Sequence, residues 1–373
     1  MGSNKSGLPE LDAYGGWTGK SSVATGFFRV AKFDGRWWFI TPDGNAFIST
    51  GINHVDYKED YSPEFVSFVV RHLKEWGFNT IGWSQDTKRY DFRNGNAPPS
   101  RGWGPAEFKH CDIPYTHIIR FADIEWYSEE QFPNVFSEEW EDKCDSLAAR
   151  DCPLLKDDHG LIGYFYTDTP NFPLWKKLSG DDFPEIVAKY YWTCHDAIRR
   201  YDPNHLILGD RFKGDVSIPI DGAKVDGMTQ DALAAMKDTV DVLCVETMQA
   251  ATLDLPAKLR EWHTIAGKPV LLADFVYLAP TDVLKVTPGS PTYARDQAAR
   301  GEAYVKFMRQ NYSNPAVVGA HWCSFGRSKY RRSGLLDGDE KPYEDCVRLM
   351  RDFNLNEMYA VASSAREANR LLQ

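Results

Sequence analysis

The chain has 373 residues, of which 43% are hydrophobic, enough for one large folded unit with a substantial core. The formal net charge is −10 and the basic residues form no long run, which argues against a nucleic-acid backbone as the main partner. No window of about 18 consecutive apolar residues occurs, so we expect no membrane span. Aromatic residues make up 14% of the chain, with 12 Trp, and this surplus suggests flat surfaces that stack on sugar rings or other planar faces.

The amino-terminal stretch MGSNKSGLPELDAYGG has no apolar core and does not read as a secretory signal. The seven cysteines are scattered singly, without a CxxC pair or the spacing of a structural zinc site. We therefore expect neither a disulfide framework nor a metal site, and a reducing compartment is favoured. As written the protein is expected to be cytoplasmic, or periplasmic or secreted if a signal has been removed. Nothing in the sequence indicates the oligomeric state.

Two turn signals stand near the amino terminus, in FFRVAKFDGRWWFITPDGNAFISTG. They are Asp34-Gly35 and Pro42-Asp43-Gly44, and each is flanked by residues that favour strands. This pattern predicts a short antiparallel β-meander.

From residue 46 onward, short apolar segments alternate with amphipathic ones. The segments that predict strands are 46–54, 79–83, 115–121, 161–168, 206–212, 241–248, 269–275 and 316–325. The segments that predict helices are 62–77, 136–150, 184–201, 229–237, 255–267, 292–311 and 343–353. In the first helix, Ser62 is the expected N-cap and Gly77 the expected C-cap.

Eight strands that alternate with helices predict an α/β fold, a (β/α)8 TIM barrel. A doubly wound sheet would more often carry a glycine-rich phosphate loop after its first strand, and no such loop is present. We predict an N-terminal extension over 1–26, a single barrel with its meander over 27–355, and a helical tail over 356–373.

The carboxyl ends of the strands, where barrel enzymes carry their chemistry, are rich in polar and aromatic residues. In chain order these ends offer Asn53, His54, Trp83, Arg120, Asp168, Asp210, Arg211, Glu246, Asp274, Trp322 and Arg327. Four of the eight strands finish on a carboxylate, more than the solvation of strand ends requires. Paired carboxyls suit glycosidic bond cleavage, because one protonates the leaving oxygen while the other attacks the anomeric carbon or activates water. A rim of structural salt bridges is the alternative.

A divalent metal site is a second alternative, with His54 and Asp56 as ligands beside another acid. Only nine His are present, however, and none forms an HxxxH or HxH pair. We therefore expect no metal and no cofactor.

Four segments resemble, in the same order, the family-50 β-agarases and their relatives in the large retaining clan of glycoside hydrolase barrels. They are DGRWWFITPDGNAFISTGINHV (34–55), YDPNHLILGDRF (201–212), KPVLLADF (268–275) and VVGAHWCSFGRS (317–328), and the resemblance spans roughly residues 27–352. It implies a TIM barrel with an acid/base on the fourth strand and a nucleophile on the seventh. It also implies a galactan-type substrate such as agar, or oligosaccharides derived from it. Asp274 falls at the nucleophile, where the family's Gly-Glu-Phe reads Ala-Asp-Phe.

The fourth strand departs from the family pattern, which is approximately Gly-Tyr-Phe-x-Asp-Asn-Glu. Here the seven residues from Gly163 read Gly-Tyr-Phe-Tyr-Thr-Asp-Thr. Thr169 therefore occupies the acid/base position, and a hydroxyl is not a proton donor of suitable strength. Asp168 occupies the position of the Asn, which in that family would hold a sugar hydroxyl.

Three readings of this departure stay open. In the first, Asp168 is the general acid and Asp274 the nucleophile or base; the shorter side chains would widen the carboxyl gap from about 5–5.5 Å toward the roughly 6.5–9.5 Å of inverting enzymes. In the second, Glu246 on the sixth strand replaces the lost acid. In the third, the barrel binds sugar without hydrolysing it.

The remaining residues are predicted to line the sugar subsites. These are Asn53, His54, Trp83, Arg120, Asp210, Arg211, Tyr277 and Trp322. The rim also carries cations, which a substrate with sulfate or uronate groups would explain, or which salt bridges to nearby acids would explain equally well. They are Arg120, Arg211, Arg327, Lys329, Arg331 and Arg332. A carbohydrate is the expected partner, and neither nucleic acid nor membrane is.

Overall fold

The computed structural model describes residues 9–55, 61–84, 102–128, 131–214, 216–248, 254–281, 284–327 and 332–370. A four-stranded antiparallel sheet comes first, in the order β1-β4-β3-β2, with strands β1 (Trp17–Ser21), β2 (Arg29–Phe33), β3 (Arg36–Ile40) and β4 (Asn45–Phe47). Asp34 (φ 57°) and Gly35 (φ 73°) form the two-residue turn between β2 and β3, as the sequence predicts. The predicted meander is confirmed.

Eight parallel strands then close into a barrel, in chain order around the ring. They are β5 (Ser49–Asn53), β6 (Thr80–Ile81), β7 (Tyr115–Ile118), β8 (Leu161–Asp168), β9 (Leu206–Lys213), β12 (Leu243–Glu246), β13 (Val270–Phe275) and β14 (Val317–Cys323). Between β9 and β12 the chain adds an antiparallel hairpin of β10 (Val216–Ile220) and β11 (Ala223–Asp226). The predicted (β/α)8 barrel is confirmed, and each predicted strand overlaps one barrel strand.

Helices surround the barrel. They are α1 (Pro63–Glu75), α2 (Pro105–Phe108), α3 (Glu138–Leu155), α4 (Phe172–Ser179), α5 (Phe183–Tyr201), α6 (Gln230–Met236), α7 (Leu255–Ala266), α8 (Gln297–Tyr312), α9 (Glu344–Asn356) and α10 (Met358–Arg370), with a 3₁₀ turn at Gly180–Asp182. Helix α1 begins as predicted, because Ser62 accepts a hydrogen bond of 3.2 Å from the backbone N–H of Phe65. None of the helices in the described ranges is long and apolar enough to cross a membrane.

The sequence did not predict the hairpin, α2 or α4. Strand β1 lies within the predicted N-terminal extension and pairs with β4, whereas α10 lies within the predicted tail. The division into domains stays a prediction. All seven cysteines lie in the described ranges, and none forms a disulfide bond.

The N-terminal sheet packs on the barrel end that lies opposite the carboxyl ends of the strands. Arg36 donates hydrogen bonds to the carbonyls of Tyr312 (2.7 Å), Asn314 (2.9 Å) and Val317 (2.6 Å), where β14 begins. Phenylalanines of this region join the apolar core that fills the barrel interior, which includes Phe28, Phe39, Phe47, Trp83, Ile162, Phe165, Leu208 and Leu271. The polar strand ends therefore gather at the other end of a filled barrel.

Candidate active site

Arg211, on β9, lies among three carboxylates from other barrel strands. Its Nε and Nη2 donate hydrogen bonds of 3.0 and 2.9 Å to Oδ1 of Asp168. Its Nη2 is 3.2 Å from Oε1 of Glu246, and its Nη1 is 3.6 Å from Oδ2 of Asp274. The three residues predicted to be catalytic therefore meet at one guanidinium, where β8, β12 and β13 end.

The ring of Trp83 and the side-chain amide of Asn53 hold this cluster in place. The Arg211 guanidinium lies 4.1 Å from the ring centroid of Trp83, whose side chain is buried. Asn53 donates hydrogen bonds to Oδ1 of Asp274 (3.0 Å) and to the carbonyl of Ala273 (2.8 Å), and it accepts one from the backbone N–H of Trp83 (2.7 Å). Asn53 thus fixes one oxygen of Asp274, and the Trp83 face that was predicted to stack on sugar is covered by Arg211.

A neutral histidine lies below Asn53 in the barrel. Nε2 of His321 is 2.8 Å from the Ser49 hydroxyl, and burial, with the charge of Arg211, lowers the pKa of His321 to about 3. A Cβ at Gly82 would come within 2.2 Å of Asn53 Oδ1 and 2.6 Å of His321 Nδ1, so only glycine fits there. The sequence prediction missed His321 because it stands inside a strand rather than at its end.

The cluster has three carboxylates and one guanidinium, and protonation offers one way to balance the charge. Burial raises the pKa of Glu246 well above its ordinary value, and the negative charge of Asp168 raises it further. Burial also raises the pKa of Asp274 to about 6, against the opposing effect of Arg211. Burial alone would lower the pKa of Arg211, but its three carboxylate partners raise it above its ordinary value. At neutral pH the site therefore holds a fixed cation beside a carboxyl that tends to stay protonated.

A fourth carboxyl, Glu125, approaches from the loop after β7 and was not predicted. The backbone N–H of Trp126 donates to the carbonyl of Thr169 (3.0 Å), which holds this loop against the end of β8. Glu125 is buried and pairs with Arg120; burial and the charge of Asp168 raise the pKa of Glu125 to about 7. No sequence signal marks Glu125, because it lies seven residues beyond the end of its strand in an irregular loop.

Two predicted subsite residues lie elsewhere, and their placement corrects the prediction. Asp210 is fully buried behind β9, where it accepts hydrogen bonds from the hydroxyls of Tyr190 (3.1 Å) and Tyr191 (2.5 Å) on α5. Trp322 is fully buried against Tyr304 of α8, with its Nε1 donating to the carbonyl of Ser333 (3.3 Å). Successive strand residues point to opposite faces, so the neighbours of inward-facing Arg211 and His321 face the helices instead.

Other predicted residues have distinct placements. His54 is buried near Asp274, and its backbone N–H donates to the carbonyl of Trp83 (2.7 Å). Tyr277 is half-buried three residues beyond Asp274, and burial raises its pKa. Asp56, which we considered as a metal ligand, lies outside the described residues.

Three of the rim cations that suggested an anionic substrate, Arg120, Arg211 and Arg327, pair with acids. Arg120 pairs with Asp123 (3.2 Å) and Glu125, and Arg327 pairs with Glu340 (2.7 Å). Arg211 is held by the carboxyl cluster. Arg332 is exposed, whereas Lys329 and Arg331 lie outside the described residues.

Comparison with known proteins shows that this chain is similar to agarases. No family model matches the chain. β-Agarase B of Vibrio sp. (strain JT0107) is 43% identical in an alignment that covers 93% of this chain and 50% of that protein. β-Agarase A of the same strain is 22% identical, with 89% of this chain and 46% of that protein covered. The chain thus spans about half the length of the curated relatives it matches.

Solved structures agree in fold. The agarase AgWH50C superposes with a TM-score of 0.73 at 16% identity, covering 95% of this chain and 67% of that one. The structure of BpGH50 gives a TM-score of 0.72 at 18% identity, covering 94% and 86%. An exo-β-agarase gives 0.73 at 16% identity, covering 96% and 69%. The chain is therefore a family-50 agarase-like protein in sequence and in fold.

Proposed function

We propose that the chain is a glycoside hydrolase that cleaves an agar-like galactan by carboxyl acid/base chemistry. The observation that carries the proposal is the meeting of Asp168, Glu246 and Asp274 on one guanidinium at the carboxyl end of the barrel. Similarity to proteins named β-agarases supports the substrate class. Those relatives are about twice as long as this chain, so we infer both the activity and the substrate from similarity to part of their length.

Asp274 is the nucleophile or base in this proposal. Asn53 holds its Oδ1, and Oδ2 faces the guanidinium at 3.6 Å, a distance that leaves the oxygen loosely engaged. An ionised Asp274 would attack the anomeric carbon or take a proton from the attacking water. A pKa of about 6 makes the ionised form the main one at neutral pH.

Asp168 is the proposed proton donor. Among the three clustered carboxyls its side chain is the most exposed, at 11% against 8% for Glu246 and 3% for Asp274. Both hydrogen bonds from Arg211 end on Oδ1, so Oδ2 is the oxygen that would carry the proton. That proton would pass to the glycosidic oxygen as its bond to the anomeric carbon breaks. Glu246, whose pKa burial raises, is the alternative donor.

A neutral galactan is preferred over a sulfated or uronate-bearing one. Arg120, Arg211 and Arg327 already face carboxylates, so an anionic group on the substrate would have to displace an internal partner.

The test pairs a product assay with calorimetry on agarose and porphyran oligosaccharides. We expect new reducing ends, with faster turnover on the neutral series. Heat of binding without new reducing ends would instead indicate a sugar-binding barrel and would contradict the proposal.

A further inference from the structure

Three strand ends bring a nitrogen, an oxygen and a sulfur donor together beside the carboxyl cluster. His54 follows β5, Asp274 lies on β13 and Cys323 ends β14, and these strands are neighbours in the barrel. One donor atom of each residue lies within 4.8 Å of the other two. All three residues are buried, with 4%, 2% and 5% of their surface exposed.

This donor set matches the preference of zinc. Imidazole nitrogen, thiolate sulfur and carboxylate oxygen are its three protein ligand types, at about 2.0–2.3 Å, which puts tetrahedral donors about 3.4–3.6 Å apart. Rotations that shorten the longest separation by no more than about 1.4 Å would complete such a site. Three protein ligands leave a fourth position for water.

Surrounding groups hold the donors in place. Asp274 is fixed through Oδ1 by Asn53 at 3.0 Å, and Sγ of Cys323 lies 3.6 Å from Oγ of Ser333. His54 has a left-handed backbone (φ 53°), a costly conformation for a non-glycine residue, and its N–H is bound by the carbonyl of Trp83 at 2.7 Å. Such outer contacts orient the ligands of metal sites in general.

The local charge also favours a cation. Asp168, Glu246 and Asp274 face the guanidinium of Arg211, and Lys213 adds a second positive charge near Glu246, so the fully ionised group keeps one negative charge in excess. A divalent ion beside Asp274 would compensate that excess without protonating a carboxyl.

We propose that His54, Asp274 and Cys323 form a binding site for a divalent cation of the zinc class, and that the bound ion inhibits hydrolysis. Coordination to the ion draws electron density from the carboxylate, which lowers both its nucleophilicity toward carbon and its basicity toward the attacking water. The inhibition rests on the proposed function, whereas the binding does not.

Cobalt(II) reports on the binding directly. The full chain would be stripped with EDTA, freed of the chelator and titrated with Co²⁺. We expect one tetrahedral cobalt per chain with a thiolate-to-cobalt charge-transfer band, which Zn²⁺ then displaces. In Cys323→Ser the band should disappear, and the affinity should fall by at least the roughly 10–100-fold that loss of an outer contact of a metal ligand costs.

Two further variants complete the design. Cys346→Ser removes a buried thiol on α9, outside the proposed site, and should titrate like the unmodified chain. His54→Asn keeps the thiol and should weaken binding comparably, which guards against misfolding of Cys323→Ser. Absence of the band in the unmodified chain, or its persistence in Cys323→Ser, would overturn the site.

Inhibition is measured as the ratio of turnover with and without stoichiometric Zn²⁺. In the unmodified chain we expect this ratio to be about 0.1 or less and to return to about one with EDTA. In Cys323→Ser we expect it to stay near one. Zinc that binds without slowing hydrolysis would overturn the inhibition alone. An unmodified chain that hydrolyses nothing would overturn the proposed function, while the cobalt spectra would still decide the site.

Discussion

Arg211 is the residue that allows three acids to be buried together. Its guanidinium is almost fully enclosed, with 1% of the side chain exposed, and it contacts Asp168, Glu246 and Asp274. Arg211→Met would leave these carboxylates without their cation. We expect the free energy of unfolding in urea to fall by about 3–5 kcal/mol, the usual cost of removing one partner from a buried ion network.

Arg309→Met is the matched control for that change. Arg309 pairs with Glu357 on the surface, with 54% of its side chain exposed, so its loss should cost less than about 1 kcal/mol. An Arg211→Met variant that is no less stable than the control would show that the cluster does not depend on the guanidinium.

The proton donor can be identified from leaving-group dependence. A general acid matters most for poor leaving groups and little for activated aryl glycosides, whose departing oxygen needs no proton. We therefore expect Asp168→Asn to slow oligosaccharide cleavage by roughly 10²–10⁴-fold while sparing an activated aryl glycoside. Glu246→Gln is the comparison, because it changes the other candidate donor in the same cluster. If Glu246→Gln shows the selective loss and Asp168→Asn does not, the roles are reversed.

Residue placement could be predicted from the sequence only in part. Asp168, Glu246 and Asp274 were found because each ends an apolar strand, and parallel strands of a barrel end on one face. Glu125 and Cys323 were missed because their roles depend on how a loop and a neighbouring strand pack. Asp210 and Trp322 were placed on the wrong face, although strict alternation from Arg211 and His321 would have corrected both.

At the scale of elements, Asp210 couples β9 to α5 and makes their packing sensitive to pH. Burial raises the pKa of Asp210 from an ordinary 3.8 to about 7, against hydrogen bonds from Tyr191, Tyr190 and the backbone of Thr167. The folded state therefore holds the proton more tightly than the unfolded state. Its contribution to stability is complete below about pH 4 and is lost as the pH rises toward 7, by roughly 3–5 kcal/mol.

Asp210→Asn tests this directly, because the amide is similar in shape and does not titrate. The difference in unfolding free energy between the unmodified chain and the variant, measured in urea from pH 4 to 8, should fall up to about pH 7 and then level off. A difference that is flat across this range would show that Asp210 keeps its ordinary proton affinity in the folded state.

Among the elements, those built on long regular patterns were predictable. Each barrel strand lies in a buried, mainly apolar segment, and α1, α3, α5 and α7 are long enough to show a helical pattern. Helices α1, α3 and α7 also begin at capping residues, which are Ser62, Ser137 and Asp254. The hairpin of β10 and β11 was not predicted because its strands are short and form a separate two-stranded sheet outside the barrel. Helix α4 spans Phe172–Ser179, too few residues for a periodic signal.

At the scale of the whole molecule, one end of the barrel is closed by apolar packing and the other carries the polar candidate site. The N-terminal sheet and its phenylalanines close one end and support the apolar interior up to Trp83. Arg211 and the carboxyls lie on top of that interior. The agarase-like resemblance implied the TIM barrel, whereas Asp274 and Thr169 depart from the Glu residues of the family pattern.

The central claim is that Asp274 performs the chemistry of a glycoside hydrolase. The most direct measurement is the turnover of agarose oligosaccharides by Asp274→Asn, with binding followed by calorimetry. Asp231→Asn is the matched control, because Asp231 on α6 is partly exposed and pairs with Lys176 on α4. We predict a loss on the order of 10³–10⁵-fold with binding still measurable, and a control like the unmodified chain. Turnover in Asp274→Asn within about tenfold of the unmodified chain would contradict the account.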